Sequence, residues 1–169
     1  MSQTIFKTDA ILDGYQAVFR PSKFGYSLSC IVEQDFIDKL EIDRIETLKW
    51  AESKLKNKKR STLKPEPWEE ISDGVYKVKF SWNEEMKPEA FDCNLNALID
   101  AEIPLFSGST VAIACYQKPY ILKEGITYGT SLKLVGFQVL SLANPMDGIR
   151  EVKSLFEKRE GYVYKPVDF

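Results

Sequence analysis

Hydrophobic and polar residues alternate most regularly in the segment 75–82, Val-Tyr-Lys-Val-Lys-Phe-Ser-Trp. Successive side chains of a β-strand point to opposite faces of the sheet, so this alternation predicts a strand with one apolar and one basic face. The apolar face would consist of Tyr76, Val78, Phe80 and Trp82. The other face carries Lys77 and Lys79, which form either a surface for a polyanion or an ordinary solvated surface.

The same alternation recurs along the chain and predicts a mainly β protein. Further strands are expected in residues 1–13, 14–20, 25–32, around 90–95, 110–116 and 129–142. In the last of these the apolar residues change phase at Gly136, which predicts a β-bulge or a sharp bend there. Lys118-Pro119-Tyr120 is expected in a hairpin-like connection that exposes the Tyr120 ring.

Apolar residues at spacings of three and four predict one long helix in residues 34–60, with Asp35 or Asp38 as its N-cap. Its C-terminal end is basic, with six cations and no acid in residues 54–64: Lys54, Lys56, Lys58, Lys59, Arg60 and Lys64. The helix dipole accounts for part of this charge, and contact with a polyanion would account for the excess. A second, short helix is expected between Asp147 and Gly161.

These elements favour a five-stranded barrel of the oligonucleotide/oligosaccharide-binding (OB) type, with one long inserted helix and a short C-terminal helix. We expect one folded domain over residues 1–143, followed by a C-terminal helix and tail over residues 144–169. A ferredoxin-like α+β fold is disfavoured, because it needs two comparable helices between strands and the second predicted helix comes too late.

Composition excludes several kinds of chemistry. The chain has 169 residues, 44% of them hydrophobic, and a net charge of −2, which suits one soluble domain. It has no histidine, so Ser-His and Cys-His catalytic pairs and His-ligated metals are ruled out. Cys30, Cys93 and Cys115 lack metal-site or disulfide spacing, and Cys30 and Cys115 are expected as buried thiols. We therefore expect no enzyme, cofactor or metal, and a cytoplasmic location without membrane contact.

Lysines and tyrosines are the candidate binding residues, because single-stranded nucleic acid is held by cations at its phosphates and by aromatic rings at its bases. The candidate cations are Lys77, Lys79, Lys118 and Lys123, and the candidate rings are Tyr116, Tyr120, Tyr128 and Trp82. Tyr120 is the ring most expected to be exposed, whereas Trp82 shares a face with Val78 and is favoured as a core residue.

Five segments are distinctive in their order: Tyr76-Lys77-Val78-Lys79-Phe80, Lys118-Pro119-Tyr120, Gly129-Thr130-Ser131-Leu132-Lys133-Leu134, Gly161-Tyr162-Val163 and a final Asp168-Phe169. With the early helix and the Pro65-Glu66-Pro67-Trp68 loop, this order resembles the single-stranded-DNA-binding protein of short-tailed, T-seven-like bacteriophages. The resemblance implies an OB-fold protein that coats single strands during phage DNA replication and recombination in an infected bacterial cell.

The resemblance also implies roles for individual residues. Lys77, Lys79 and Tyr120 match the family's DNA-binding positions, and a contact in the first strand loop would fall at Lys23 or Phe24. Asp168 and Phe169 would contact the phage DNA polymerase and helicase-primase, and two copies would form a homodimer. The sequence departs from the family in its tail, which has five acids and five bases from Asp147 onward where the family has a long acidic segment.

Two other functions fit the same pattern. An OB-type protein-interaction or structural phage module would have the same fold and no affinity for DNA, with its lysines serving solubility. A nuclease that uses carboxylates and a metal would rely on Asp92, Asp100 and Glu102, but no acidic motif has the spacing that such a site needs.

Overall fold

The computed structural model describes residues 4–14, 16–98, 105–143 and 159–164. This part of the chain forms a nine-stranded sheet and one α-helix, α1, which spans Gln34–Ser53. The strands are β1 (Phe6–Leu12), β2 (Ala17–Ser22), β3 (Gly25–Glu33), β4 (Thr62–Leu63), β5 (Trp68–Ser72), β6 (Val75–Trp82), β7 (Glu89–Phe91), β8 (Thr110–Ile121) and β9 (Thr127–Ser141). Two 3-10 helices, Lys58–Arg60 and Glu84–Met86, lie in the connections.

The strands are arranged in the order β4-β9-β8-β1-β3-β6-β5, with β2 paired to β3 and β7 paired to β9. The prediction of a mainly β protein with one long helix is confirmed. The described sheet has nine strands instead of the predicted five. Its five longest strands, β9, β8, β1, β3 and β6, are neighbours in the sheet and pair antiparallel.

The alternation in β6 correctly predicts which of its side chains are buried. Tyr76, Val78 and Phe80 lie in the main hydrophobic core, whereas Lys77 and Lys79 lie on the opposite, outer face. Complete burial of a side chain such as Phe80 stabilises the fold by roughly 1.5–3 kcal/mol. The core therefore holds the two lysines on the outer face, since a one-residue shift of register would bury them.

The predicted irregularity at Gly136 is also confirmed. Ala114 pairs with Gly136 and Cys115 pairs with Leu134, so Val135 is the extra residue of a bulge in β9. A Cβ atom at residue 136 would lie 2.9 Å from the Glu89 carbonyl oxygen. Glycine is therefore needed here to let β7 approach β9.

Two of the three cysteines are buried as predicted. Cys30 and Cys115 have no exposed surface, and both are free thiols. Burial raises the pKa of each thiol to about 12. Cys93 is exposed and free.

The long helix ends at Ser53 and not near residue 60, and its N-cap is Glu33 and not Asp35 or Asp38. After the helix the backbone turns toward the connection between β8 and β9, where the Lys56 amide donates to the Gly125 carbonyl at 3.0 Å. Of the basic residues expected in the last helical turns, only Lys54 lies at the helix C-terminus, as its C-cap. The others lie in the connection that follows, which includes the 3-10 helix Lys58–Arg60, so the helix dipole accounts for little of their charge.

The predicted connection at Lys118-Pro119-Tyr120 is wrong, because β8 continues through these residues to Ile121. Pro119 pairs with Thr130 of β9 inside the strand. The helix expected at Asp147–Gly161 and the boundary expected after residue 143 depend on residues outside the described ranges. Within the described ranges, no helix is both long and apolar enough to cross a bilayer.

Candidate nucleic-acid interface

A groove of about 490 Å³ lies on the outer face of β3 and β6, beside the turn between β2 and β3. We refer to it as the lysine groove, and define it by Lys23, Phe24, Lys77 and Lys79. Small polar side chains, Ser27, Ser29 and Ser81, also line it. The structure thus brings together four of the ten candidate binding residues named from the sequence, although they come from two distant segments of the chain.

The pairing of β3 with β6 explains why the groove is open. Lys79 lies opposite Ser29, and Ser81 lies opposite Ser27. Serine side chains are short, so the sheet surface beside the lysines is not filled. The Gln16 side chain fixes this part of β3, because it accepts from the Ser29 amide and donates to the Ser29 carbonyl, each at 2.9 Å.

The turn between β2 and β3 carries an exposed aromatic ring. Ser22 pairs with Gly25, so Lys23 and Phe24 form the tip of the turn. Gly25 has a φ of 93°, which glycine adopts without steric cost. The Phe24 amide donates to the Ser22 hydroxyl oxygen at 3.1 Å, and the Phe24 side chain is 87% exposed. The Lys23 Nζ lies 5.1 Å from the centre of this ring, so a cation and a free ring face are presented together.

One acidic residue, Asp13, also lies in the groove. Its Oδ2 is 3.3 Å from the Lys77 Nζ, and both side chains are more than a third exposed. Lys23 and Lys79 form no salt bridge with any described residue. Asp13 was not predicted as part of the site, because nothing in its local sequence links it to Lys77. With three cations and one anion, the groove has an excess of positive charge.

Three other predicted residues form a separate surface. Tyr116, Lys118 and Tyr120 occupy alternate positions on β8, so they share its outer face. We call these three residues the tyrosine strip. Lys133, which was also not predicted as part of the site, lies opposite Tyr116 on β9.

The Tyr120 ring covers Gly129, its partner on β9. A Cβ atom at residue 129 would lie 2.7 Å from the Tyr120 hydroxyl and 3.1 Å from the Lys64 β-carbon. Tyr120 is therefore half-buried, in contrast to the exposed ring that the sequence predicts.

The tyrosine strip lies at a distance from the lysine groove. Across the sheet, Lys77 of β6 pairs with Ile31 of β3, Ile31 pairs with Ile11 of β1, and Ile11 pairs with Thr110 at the start of β8. Thr110 therefore marks the position along β8 that corresponds to Lys77. Tyr116 is six residues farther along β8 and Tyr120 is ten residues farther. At about 3.3 Å per residue, these offsets amount to roughly 20 and 33 Å along the strand. The predicted DNA-binding residues therefore form two surfaces and not one.

Two predicted stacking rings have structural roles. Tyr128 is only 6% exposed and packs against Ala51 and Leu55 of the second hydrophobic cluster. Its hydroxyl donates to Glu52 Oε1 at 2.9 Å, and burial together with this hydrogen bond raises the pKa of Tyr128. The Tyr128 ring is therefore covered by the protein's own core, in contrast to the free ring that base stacking needs.

Trp82 is half-buried, and its ring stacks on Tyr26 with the ring centres 6.1 Å apart. It lines a mostly apolar cavity of about 450 Å³ together with Phe19 and Phe137. This position agrees with the preference for Trp82 as a residue of the core.

The acids of the alternative nuclease do not form a described site. The Asp92 carboxylate accepts from the Asn96 side chain and from the Asn96 and Asn94 amides, each at 2.9 Å. These hydrogen bonds hold the pKa of Asp92 below its usual value, with the Asn96 side chain as the largest cause. Asp100 and Glu102 lie outside the described residues, as do Asp168 and Phe169. The described residues contain no cluster of three or more acids and cysteines that would suit a metal.

Comparison with solved structures identifies the class of fold: it is one found in phage proteins that bind single-stranded DNA. The gp2.5 single-stranded-DNA-binding protein of bacteriophage T7 superimposes with a TM-score of 0.69 at 16% identity, covering 97% of this chain and 100% of that protein. The single-stranded-DNA-binding protein of bacteriophage Enc34 gives a TM-score of 0.56 at 16% identity, with 83% of each chain covered. The same Enc34 protein in complex with single-stranded DNA gives a TM-score of 0.56, covering 83% of this chain and 88% of that one.

No protein-family model matches the sequence, and no curated protein matches it significantly. The suggested resemblance to phage single-stranded-DNA-binding proteins is therefore supported through the fold. The roles of individual residues rest on the geometry of the two surfaces.

Proposed function

We propose that the protein binds single-stranded DNA without sequence preference, and that the lysine groove is its principal binding site. The observation that carries this proposal is the exposed ring of Phe24 beside Lys23, Lys77 and Lys79. An 87% exposed phenylalanine adds nothing to the protein's own core, whereas one face of its ring provides a stacking surface for a base.

The groove suits a single strand chemically. The lysine ammonium groups would bind phosphates, and the serine hydroxyls would donate hydrogen bonds to phosphate or sugar oxygens. Stacking on Phe24 needs an unpaired base, because a ring cannot reach the face of a base inside a duplex. Every base has such a face, so we expect little dependence on sequence.

The fold supports the same function. One protein with this fold has been solved with single-stranded DNA bound, namely that of bacteriophage Enc34. We propose on this basis that the sheet forms an OB-type barrel, that the protein is a binding protein without catalytic activity, and that it acts in the cytoplasm of an infected bacterium.

The direct test is fluorescence anisotropy with a labelled thymidine oligomer, with a duplex of the same length as the comparison, at low and high salt. We expect preferential binding of the single strand. The logarithm of affinity should fall with the logarithm of salt concentration with a slope of about −2 or steeper, because three lysines would each neutralise a phosphate. Absence of binding at low salt would contradict the proposal and favour the protein-interaction module instead.

We further propose a role in phage DNA replication and recombination, with a polymerase and a helicase-primase as partners contacted through Asp168 and Phe169, and with a homodimer as the active form. The sequence resemblance is the support for this role. Removal of Phe169 should weaken capture of the polymerase in a pull-down while leaving oligonucleotide affinity unchanged. Equal capture without Phe169 would contradict the assignment of that residue.

A further inference from the structure

We infer that the segment Lys54–Lys64, together with the tyrosine strip, forms a second contact surface for the same DNA strand. We call this segment the basic connection. The inference rests on the proposed function, and it extends the binding site from the lysine groove to the far end of β8. The fold-level comparisons do not assign any role to this segment.

Backbone hydrogen bonds fix the basic connection beside the tyrosine strip. The Lys56 amide donates to the Gly125 carbonyl at 3.0 Å, at the turn between β8 and β9. Farther along, the amides of Thr62 and Lys64 donate to the carbonyls of Ile126 and Tyr128, both at 2.8 Å. These contacts include the short parallel pairing of β4 with β9. The connection is therefore held along β9, the strand that pairs with β8 at Tyr120.

Side chains of the connection contact this part of the sheet directly. The Lys64 β-carbon and the Tyr120 hydroxyl both lie over Gly129, so Lys64 is next to the tyrosine ring. The Lys64 carbonyl accepts from the Arg44 guanidinium at 3.0 Å. The methylene groups of Lys56 lie over Gly125, where a Cβ atom would be only 2.5 Å from the nearest of them. The connection thus meets the tyrosine strip at Lys64 and the turn after β8 at Lys56.

The charge of the connection is not neutralised within the described part of the chain. Its six cations are all exposed: Lys54, Lys56, Lys58, Lys59, Arg60 and Lys64. None of them forms a salt bridge with a described carboxylate. Like charges so close together repel one another, and a bound polyanion would remove that repulsion. Exposed Lys118 and half-buried Lys133 add to the same surface.

The adjoining aromatic rings favour a single strand over other polyanions. Tyr116 and Tyr120 lie on the outer face of β8 between cations, which is the arrangement that binds bases and phosphates together. A single strand that contacts both surfaces must span their offset of roughly 20–33 Å along the strand direction. That span takes several nucleotides, which fits the range of about 4–16 nucleotides that one OB fold covers.

The test compares two lengths of thymidine oligomer, one of about five and one of about sixteen nucleotides, chosen from the range that an OB fold covers. The variant is Lys58→Gln combined with Lys59→Gln. The matched control is Lys39→Gln combined with Lys49→Gln, which removes the same charge from exposed positions on α1. All four positions are exposed, and unchanged denaturation midpoints would show that the variants fold normally.

We expect the Lys58→Gln, Lys59→Gln variant to lose about 5- to 30-fold in affinity for the long oligomer, with its salt slope reduced by about 1.4. Its affinity for the short oligomer should equal that of the wild type, and the control should change neither. Equal loss in variant and control, or no loss in either, would overturn the inference while leaving the lysine groove in place. If the wild type binds neither oligomer, the proposed function fails and the inference fails with it.

Discussion

The lysine groove and the tyrosine strip contain the same kinds of side chain, lysines and aromatic rings, on the outer face of one sheet. They differ in how much of each ring is free. Phe24 is at the tip of a two-residue turn and is 87% exposed, whereas Tyr120 is half-buried because its ring covers Gly129. They also differ in shape, since three lysines surround the groove and the strip is a row along β8. Residue type alone therefore does not rank the two surfaces, and the exposure of Phe24 is the reason for proposing the groove as the primary site.

The largest expected difference is in the response to loss of lysine charge. Lys77→Gln combined with Lys79→Gln should weaken binding of a thymidine five-mer about 100-fold, because each lost phosphate contact is a charge-assisted hydrogen bond worth roughly 1.5 kcal/mol or more. Anisotropy titration measures this loss. The control is the Lys58→Gln, Lys59→Gln variant, which removes two charges from the basic connection beside the tyrosine strip. If both variants weaken five-mer binding equally, the two surfaces are not distinct.

The two rings can be compared at constant charge. Phe24→Ala should weaken binding by about 5- to 150-fold, since stacking is worth roughly 1–3 kcal/mol per base. Phe24→Trp keeps a stacking surface and should bind nearly as well as the wild type. The salt slope should be the same in all three proteins, because no phosphate contact is changed. A steep loss for Tyr120→Leu on the same five-mer, with no loss for Phe24→Ala, would reverse the ranking.

Substitution of Asp13 should strengthen DNA binding at the lysine groove without affecting the tyrosine strip. It forms an exposed ion pair with Lys77 at 3.3 Å, and such pairs contribute roughly 0.2–1 kcal/mol. Asp13→Asn should therefore tighten binding by up to about fivefold, because the Lys77 ammonium group would not have to break an ion pair before it binds a phosphate. The control is Glu46→Gln, which breaks the exposed ion pair with Lys49 on α1. Equal gains in both variants would show an effect of net charge only.

The smallest expected effect on DNA binding is at Tyr128. Tyr128→Phe should leave oligonucleotide affinity unchanged and lower the free energy of unfolding by about 1 kcal/mol, because it removes the part-buried hydrogen bond to Glu52. Tyr120→Phe should leave stability unchanged, since the Tyr120 hydroxyl makes no hydrogen bond to a described residue. Chemical denaturation measures both variants. Weaker DNA binding by Tyr128→Phe would contradict its assignment to the core.

The sequence allows correct prediction where one local pattern decides the outcome. Alternation in β6 assigns Lys77 and Lys79 to the outer face, and the phase change in β9 predicts the bulge beside Gly136. Prediction from the sequence fails where contacts between distant segments decide whether a residue is buried or where a strand ends. Tyr128 is buried because Ala51 of α1 and Leu55, just after the helix, pack on it. Likewise, β8 continues past Pro119 because it pairs with β9 up to Ile121.

Part of the candidate site could be predicted from the sequence, and part could not. Lys23 and Phe24 were identified through the family resemblance, but their position beside Lys77 follows from the pairing of β2, β3 and β6. Asp13 and the serines of the groove carry no local signal of their roles. The basic connection was recognised by its charge, but its contact with Tyr120 depends on Gly129 of a distant strand.

Photochemical cross-linking of a short thymidine oligomer, followed by identification of the modified peptide, would test most directly which surface binds first. We expect the cross-link at Phe24, in the turn between β2 and β3, for an oligomer of about five nucleotides. The Phe24→Ala variant should lose this product and retain its fold. Cross-links confined to Tyr116 or Tyr120 with the short oligomer would show that the tyrosine strip, and not the lysine groove, is the primary site.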